Sequence, residues 1–132
     1  MIKSSEGWYA VDLDGTLAKY TKFTGETQIG KPVPLMVARV KKWLREGKDV
    51  RIFTARVAKP DNKEAVVNAI NHWCILHIGK MLPITYKKDH NMIELWDDRA
   101  KQVIPNTGKL VEGPEWAEDL RAELAEDGEE IF

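Results

Sequence analysis

The sequence predicts an α/β fold built on a parallel sheet, and three observations carry that prediction. A short apolar stretch, Trp8 to Val11, reads as a buried strand. It is followed by a helical pattern with Met36, Val37, Val40 and Leu44 on one face, and then by a second apolar run from Val50 to Thr54. Strand, helix, strand in that order is the parallel βαβ unit, whose crossover is right-handed almost without exception. Acidic residues also close two of the apolar runs: Asp12 and Asp14 follow the first, and Asp97 and Asp98 follow Met92–Trp96. Ligands of open α/β sheets bind beyond the carboxyl ends of the strands, so carboxylates placed there suit chemistry better than architecture.

Length and composition bound the remaining classes. A chain of 132 residues is expected to be a single domain over residues 1–132, with room for one core and no separate cap domain. Hydrophobic content of 43% and charged content of 31% describe an ordinary soluble globular chain. A net charge of -1 leaves no basic footprint for general nucleic-acid binding, although a phosphorylated nucleic-acid end remains within reach as a substrate. The single cysteine, Cys74, forms no internal disulfide, and the first residues lack the basic-then-apolar pattern of a secretory signal, so a cytoplasmic location is expected. No apolar run approaches the roughly 20 residues of a membrane span. The oligomeric state is not readable from the chain.

Taken in order, the first strand runs into Asp12-Leu13-Asp14-Gly15, where Gly15 can take backbone angles that other residues avoid. If strand geometry persists through Asp14, Asp12 and Asp14 point to the same side and share one small volume. The bland reading of the same residues is a polar turn closing a hairpin. From Ala18 to Lys31, two strand-like pieces around a Gly-containing turn predict a hairpin flap. Its Lys19, Tyr20 and Lys22 are candidates either for touching a substrate or for a solvated loop.

Pro32-Val33-Pro34 opens the first helix, and Gly47 caps its end. The second strand ends at Thr54, which should arrive beside Asp12 because parallel neighbours bring their carboxyl ends together; its hydroxyl and the N–H groups that follow can hold phosphate oxygens. Lys59-Pro60-Asp61-Asn62 supplies a turn and an N-cap for a helix with Val66, Val67, Ile70, Trp73, Cys74 and Ile78 as its apolar stripe. His72 and His77 in that helix lack the partners of a metal site, and Cys74 reads as a small core hydrophobe. Ile84-Thr85-Tyr86 is a third strand and Met92–Trp96 a fourth, with an edge strand expected over Gln102–Ile104. Pro114 opens a last helix, Glu115–Glu126, before an acidic tail.

Four of these segments together resemble a known family. Asp12-Leu13-Asp14-Gly15-Thr16-Leu17, Thr54-Ala55-Arg56, Lys88, and Asp97-Asp98 within Trp96–Ala100 resemble, in order, the four signatures of the haloacid dehalogenase (HAD) superfamily. Small phage and bacterial members are the nearest in pattern, and the likeness runs from Tyr9 to about Gly108. It implies a three-layer α/β/α sandwich around a central parallel sheet of Rossmann type, with the hairpin flap as the only cover. It also implies a Mg²⁺-dependent phosphatase that works through an aspartyl-phosphate. On that pattern Asp12 is the nucleophile and Asp14 the general acid and base. Thr54, Ala55, Arg56 and Lys88 bind the phosphoryl group, with Lys87 an alternative to Lys88. Asp12, Asp14, Asp97 and Asp98 hold the metal, Asp14 through its backbone carbonyl. Arg56 and Arg99 are open between reading substrate and pairing with a site aspartate.

Electrostatics support the need for a cation. Two unit charges about 4 Å apart repel by about 4 kcal/mol at an effective dielectric near 20, so four converging carboxylates require neutralisation. Oxygen-only donors without clustered His or Cys select a hard ion, and Mg²⁺ fits best. Two readings outside hydrolysis stay open: a phosphoacceptor domain whose phosphorylated aspartate signals, and a binding module that has lost turnover. Within hydrolysis, nucleotide 5′-phosphates, nucleic-acid ends and small organic phosphates compete as substrates.

Overall fold

Strand β1 (Trp8–Asp12) is central to a four-stranded sheet in the computed structural model, which describes residues 7–111. The chain divides into two units, Met1–Asp98 and Arg99–Phe132. In the first unit the further elements are α1 (Pro34–Arg45), β2 (Asp49–Phe53), a 3₁₀ turn (Ala55–Val57), α2 (Lys63–His77), β3 (Ile84–Thr85) and β4 (Met92–Trp96). The strand order is β3-β2-β1-β4 and every pairing is parallel, so the expected α/β class and central parallel sheet are present.

The helix ends follow from local chemistry. Pro34 begins α1, where its missing N–H is not needed. Gly47, at φ +83°, lets the Gly47 N–H reach the Leu44 carbonyl and the Lys48 N–H reach that of Trp43, the paired bonds that close a helix on a left-handed residue. The Asn62 side chain caps α2 by accepting from the Ala65 N–H at 3.3 Å.

Sheet register decides which side chains meet the helices. Tyr9 pairs with Val50 and Val11 with Ile52, so these four share a face. Val11, Val50 and Ile52 join Val40 of α1 and Val66, Ile70 and Cys74 of α2 in the core. Each such fully buried aliphatic side chain contributes about 1.5–3 kcal/mol, a large share of a net stability of about 5–15 kcal/mol. Trp96, across from Val11, is on the same face, and its ring meets Trp43 edge-on at 5.1 Å while Trp43 stacks on Tyr9 at 5.4 Å. These rings lock α1 across β1 and β4.

Three expectations change. Strand geometry ends at Asp12 and does not persist through Asp14, because a tight turn with Ala18 N–H on the Leu13 carbonyl at 2.8 Å takes over. The flap over Ala18–Lys31 is an irregular loop and not a hairpin: only its base is paired, by the Ala18↔Pro32 bridge and the Lys19 N–H on the Lys31 carbonyl at 2.8 Å. Gln102–Ile104 is no edge strand of the sheet; within the second unit Val103 bridges Leu110 in a small turn with Asn106 and Gly108 at positive φ. The helix expected over 115–126 and the acidic tail lie outside the described residues.

Candidate active site at the strand carboxyl ends

Parallel pairing brings the ends of β1, β2 and β4 to one edge of the sheet. Asp12 is the last residue of β1 and pairs with Phe53, which sets Thr54 just beyond it on the neighbouring strand. On the other side Val11 pairs with Trp96, and the next residues of the chain are Asp97 and Asp98. One carboxylate oxygen from each of Asp12, Asp97 and Asp98 lies within 4.8 Å of the other two. Burial, then the charges of Asp97 and Asp98, push the Asp12 carboxyl up from 3.8 to about 7, with a smaller opposing pull from the Thr16 hydroxyl. Three acids this close are held apart from full ionisation unless a cation joins them. All donors are hard oxygens, and this set fits a small divalent ion such as Mg²⁺.

The turn after β1 shapes this cluster. Leu13 and Leu17 are fully buried and anchor it from below. The Thr16 hydroxyl lies 3.3 Å from Asp12 Oδ2 and 3.1 Å from Asp98 Oδ1, and it accepts the Asp98 N–H at 2.9 Å. Gly15 sits at φ +92°, and a Cβ there would lie 2.6 Å from Asp98 Oδ2. Glycine is therefore needed twice, for its backbone angle and for the space that Asp98 occupies.

Asp14 goes elsewhere. Its carboxylate is gripped by Arg56, with Nε 2.8 Å from Oδ2 and Nη2 2.9 Å from Oδ1. The same guanidinium donates from Nη1 to the carbonyls of Gly25 at 3.0 Å and Glu26 at 2.6 Å. Thus of the four aspartates expected together, the side chains of Asp12, Asp97 and Asp98 converge, and that of Asp14 is in an ion pair. Of the two roles open to Arg56, the structure has the pairing with an aspartate.

The remaining expected residues divide. Thr54 is buried, 3% exposed, and its hydroxyl accepts the Arg56 N–H at 3.1 Å as the cap of the 3₁₀ turn. Ala55 follows it, exposed, in the first position of that turn. Lys88 and Lys87 are exposed beyond β3; Lys87 lies over the Tyr86 ring at 5.5 Å, and neither makes an ion pair with a site carboxylate among the described residues. Cys74 is buried, and burial pushes its thiol up to about 11, as suits a core hydrophobe. Thr16 and the Gly15–Asp98 contact were not singled out by sequence reasoning. The Gly after two acids is the signal that points to them.

No protein-family model matches the chain, and no curated protein matches it. Among solved structures it is similar to a conserved protein from Bacteroides thetaiotaomicron, at 21% sequence identity and a TM-score of 0.49. That similarity covers 92% of this chain and 90% of that one. No helix among the described residues is long and apolar enough to cross a membrane.

Proposed function

We propose that this chain is a phosphomonoester hydrolase of the haloacid dehalogenase type, dependent on Mg²⁺ and acting through a phosphorylated aspartate. The observation that carries the reading is the division of labour at the end of β1: Asp12 stands in an acidic triad fit for a cation, and Asp14, two residues on, is set apart on its own arginine. Asp12, Asp97 and Asp98 hold the ion, which when bound neutralises their charge and that of the phosphate.

In the forward step a carboxylate oxygen of Asp12 forms a bond to phosphorus while the bond to the leaving alcohol oxygen breaks. Asp14, protonated as one of its oxygens turns from Arg56 toward the leaving group, gives that proton to the oxygen. Asp14 then takes a proton from water, whose oxygen attacks the aspartyl phosphate; inorganic phosphate leaves and the Asp12 carboxylate returns. The N–H groups after Thr54 and a lysine from the segment after β3 supply donors to the phosphoryl oxygens.

One observation favours a second reading, the phosphoacceptor. With both Asp14 oxygens on Arg56, the group that activates water is occupied, which lengthens the life of a phosphorylated Asp12. The deciding experiment is release of inorganic phosphate from an aryl phosphate, nucleotide 5′-phosphates, sugar phosphates and 5′- or 3′-phosphorylated oligonucleotides, with and without Mg²⁺, in the wild type and Asp12→Asn. Mg²⁺-dependent turnover that Asp12→Asn abolishes is the expected result. Phosphorylation by acetyl phosphate without turnover favours the phosphoacceptor, and no reaction of either kind removes both.

A further inference from the structure

We infer that Arg56 is a positioning residue that holds the general acid and base Asp14 and the loop over residues 19–31 as one unit; the catalytic part of this inference rests on the function proposed above. The geometry is a clamp. Four of the five guanidinium N–H groups are engaged, two on the Asp14 carboxylate and two on the carbonyls of Gly25 and Glu26. The side chain is 8% exposed, so these charge-assisted bonds are shielded from water. The base of Arg56 is fixed in turn, since its own N–H donates to the buried Thr54 hydroxyl at 3.1 Å.

The loop depends on such outside anchors. Between its paired base and its tip it has no regular secondary structure, and its internal bonds are few, among them the Gln28 N–H on the Gly25 carbonyl at 3.1 Å. That same Gly25 carbonyl accepts from Arg56. A second anchor, the Trp73 Nε1 bond to the Gly30 carbonyl at 2.8 Å, ties the loop to α2 near its base. Arg56 is thus the link between the loop tip and the acid. Whatever displaces residues 25–26 loosens the guanidinium from Asp14, and a grip on Asp14 orders the loop. Lysine in its place keeps the charge but lacks the planar fork that spans a carboxylate and two carbonyls.

The test uses Arg56→Ala, Arg56→Lys, Asp14→Asn and the double variant Arg56→Ala with Asp14→Asn. Arg56→Ala and Arg56→Lys should lower kcat by about 10²-fold, the usual effect of a displaced catalytic group. Millimolar guanidinium should restore part of the loss in Arg56→Ala. Added to Asp14→Asn, Arg56→Ala should lower kcat little further, because it acts through Asp14. Equal losses in both backgrounds overturn the positioning role.

A second readout is independent of turnover. Hydrogen exchange at the Gln28 amide should quicken about tenfold in Arg56→Ala, as loss of charge-assisted bonds predicts, while the amides of β1 and β2 keep their protection. Unchanged Gln28 exchange overturns the clamp. If the wild type hydrolyses nothing with Mg²⁺, the proposed function falls, and the clamp is still judged by exchange. Should Arg56→Ala fail to fold, Arg56→Lys carries both readouts.

Discussion

Arg56 and Asp14 form a two-pronged ion pair, Nε to Oδ2 at 2.8 Å and Nη2 to Oδ1 at 2.9 Å, while the carboxylate of Asp12, two residues earlier, lies 3.3 Å from the Thr16 hydroxyl and faces the charges of Asp97 and Asp98. Two acids separated by one residue therefore live in opposite surroundings. Asp12 is crowded by like charge, and Asp14 is matched by a cation.

That contrast separates the effects of two variants. Asp12→Asn should abolish turnover, since an amide is no nucleophile toward phosphorus, yet raise the thermal midpoint in metal-free buffer by removing a crowded charge. Asp14→Asn should lower the rate by about 10²–10⁴-fold, the range for loss of a general acid and base. It should also destabilise by about 1–3 kcal/mol, because Asn leaves part of the guanidinium unmatched. Phosphate release and thermal melts of both proteins check the pair of outcomes; a more stable Asp14→Asn would contradict the pairing.

The pH dependence of stability has a defined sign. The folded state holds the Asp12 proton more tightly than the unfolded chain, raising its carboxyl from 3.8 to about 7. The contribution of this group is full below about 4 and is lost as pH rises through about 7. A divalent cation binds the ionised triad and offsets that loss, by about 2.7 kcal/mol at a hundredfold excess over its Kd. Melts from pH 5 to 8 should show a falling midpoint in chelator, a flatter curve in Mg²⁺, and a flatter curve in Asp12→Asn without metal. Parallel curves with and without Mg²⁺ would remove the triad as a cation site.

Gly15→Ala meets two obstacles at once. A residue with a Cβ at φ +92° is strained by about 1–3 kcal/mol, and that Cβ would press on the Asp98 carboxylate at 2.6 Å. Mg²⁺ affinity measured by calorimetry should fall together with stability. Gly47→Ala is the control: it shares the positive φ of +83° but has nothing near its Cβ, so stability alone should fall.

Thr16→Val keeps the shape of the side chain and deletes its hydroxyl. Asp98 loses the acceptor of its N–H, and Asp12 loses the donor that opposes the rise of its carboxyl. Weaker Mg²⁺ binding with little change in the fold is expected, read from metal titration and circular dichroism. Unaltered affinity would show that Thr16 does not orient the triad.

What the chain alone determined is local and periodic. The apolar run Met92–Trp96 is strand β4 with the same bounds, and Pro34, Gly47 and Asn62 act where their backbone preferences put them. The site edge was also legible, because parallel strands leave their carboxyl ends together wherever βαβ order holds, and that brings Asp12, Thr54, Asp97 and Asp98 to one edge. Tertiary structure decided the rest. Whether Arg56 reads a substrate or an aspartate depends on a partner 42 residues away, and no local spacing encodes it. The loop over residues 19–31 looks like a hairpin by its Gly-containing turn, yet pairing stops at its base, Gly30 is tied to Trp73, and its tip is held by Arg56 and not by a strand partner. Periodicity records which face of an element is apolar; it does not record which distant donor satisfies a carbonyl or a carboxylate, and at this site those donors set the chemistry.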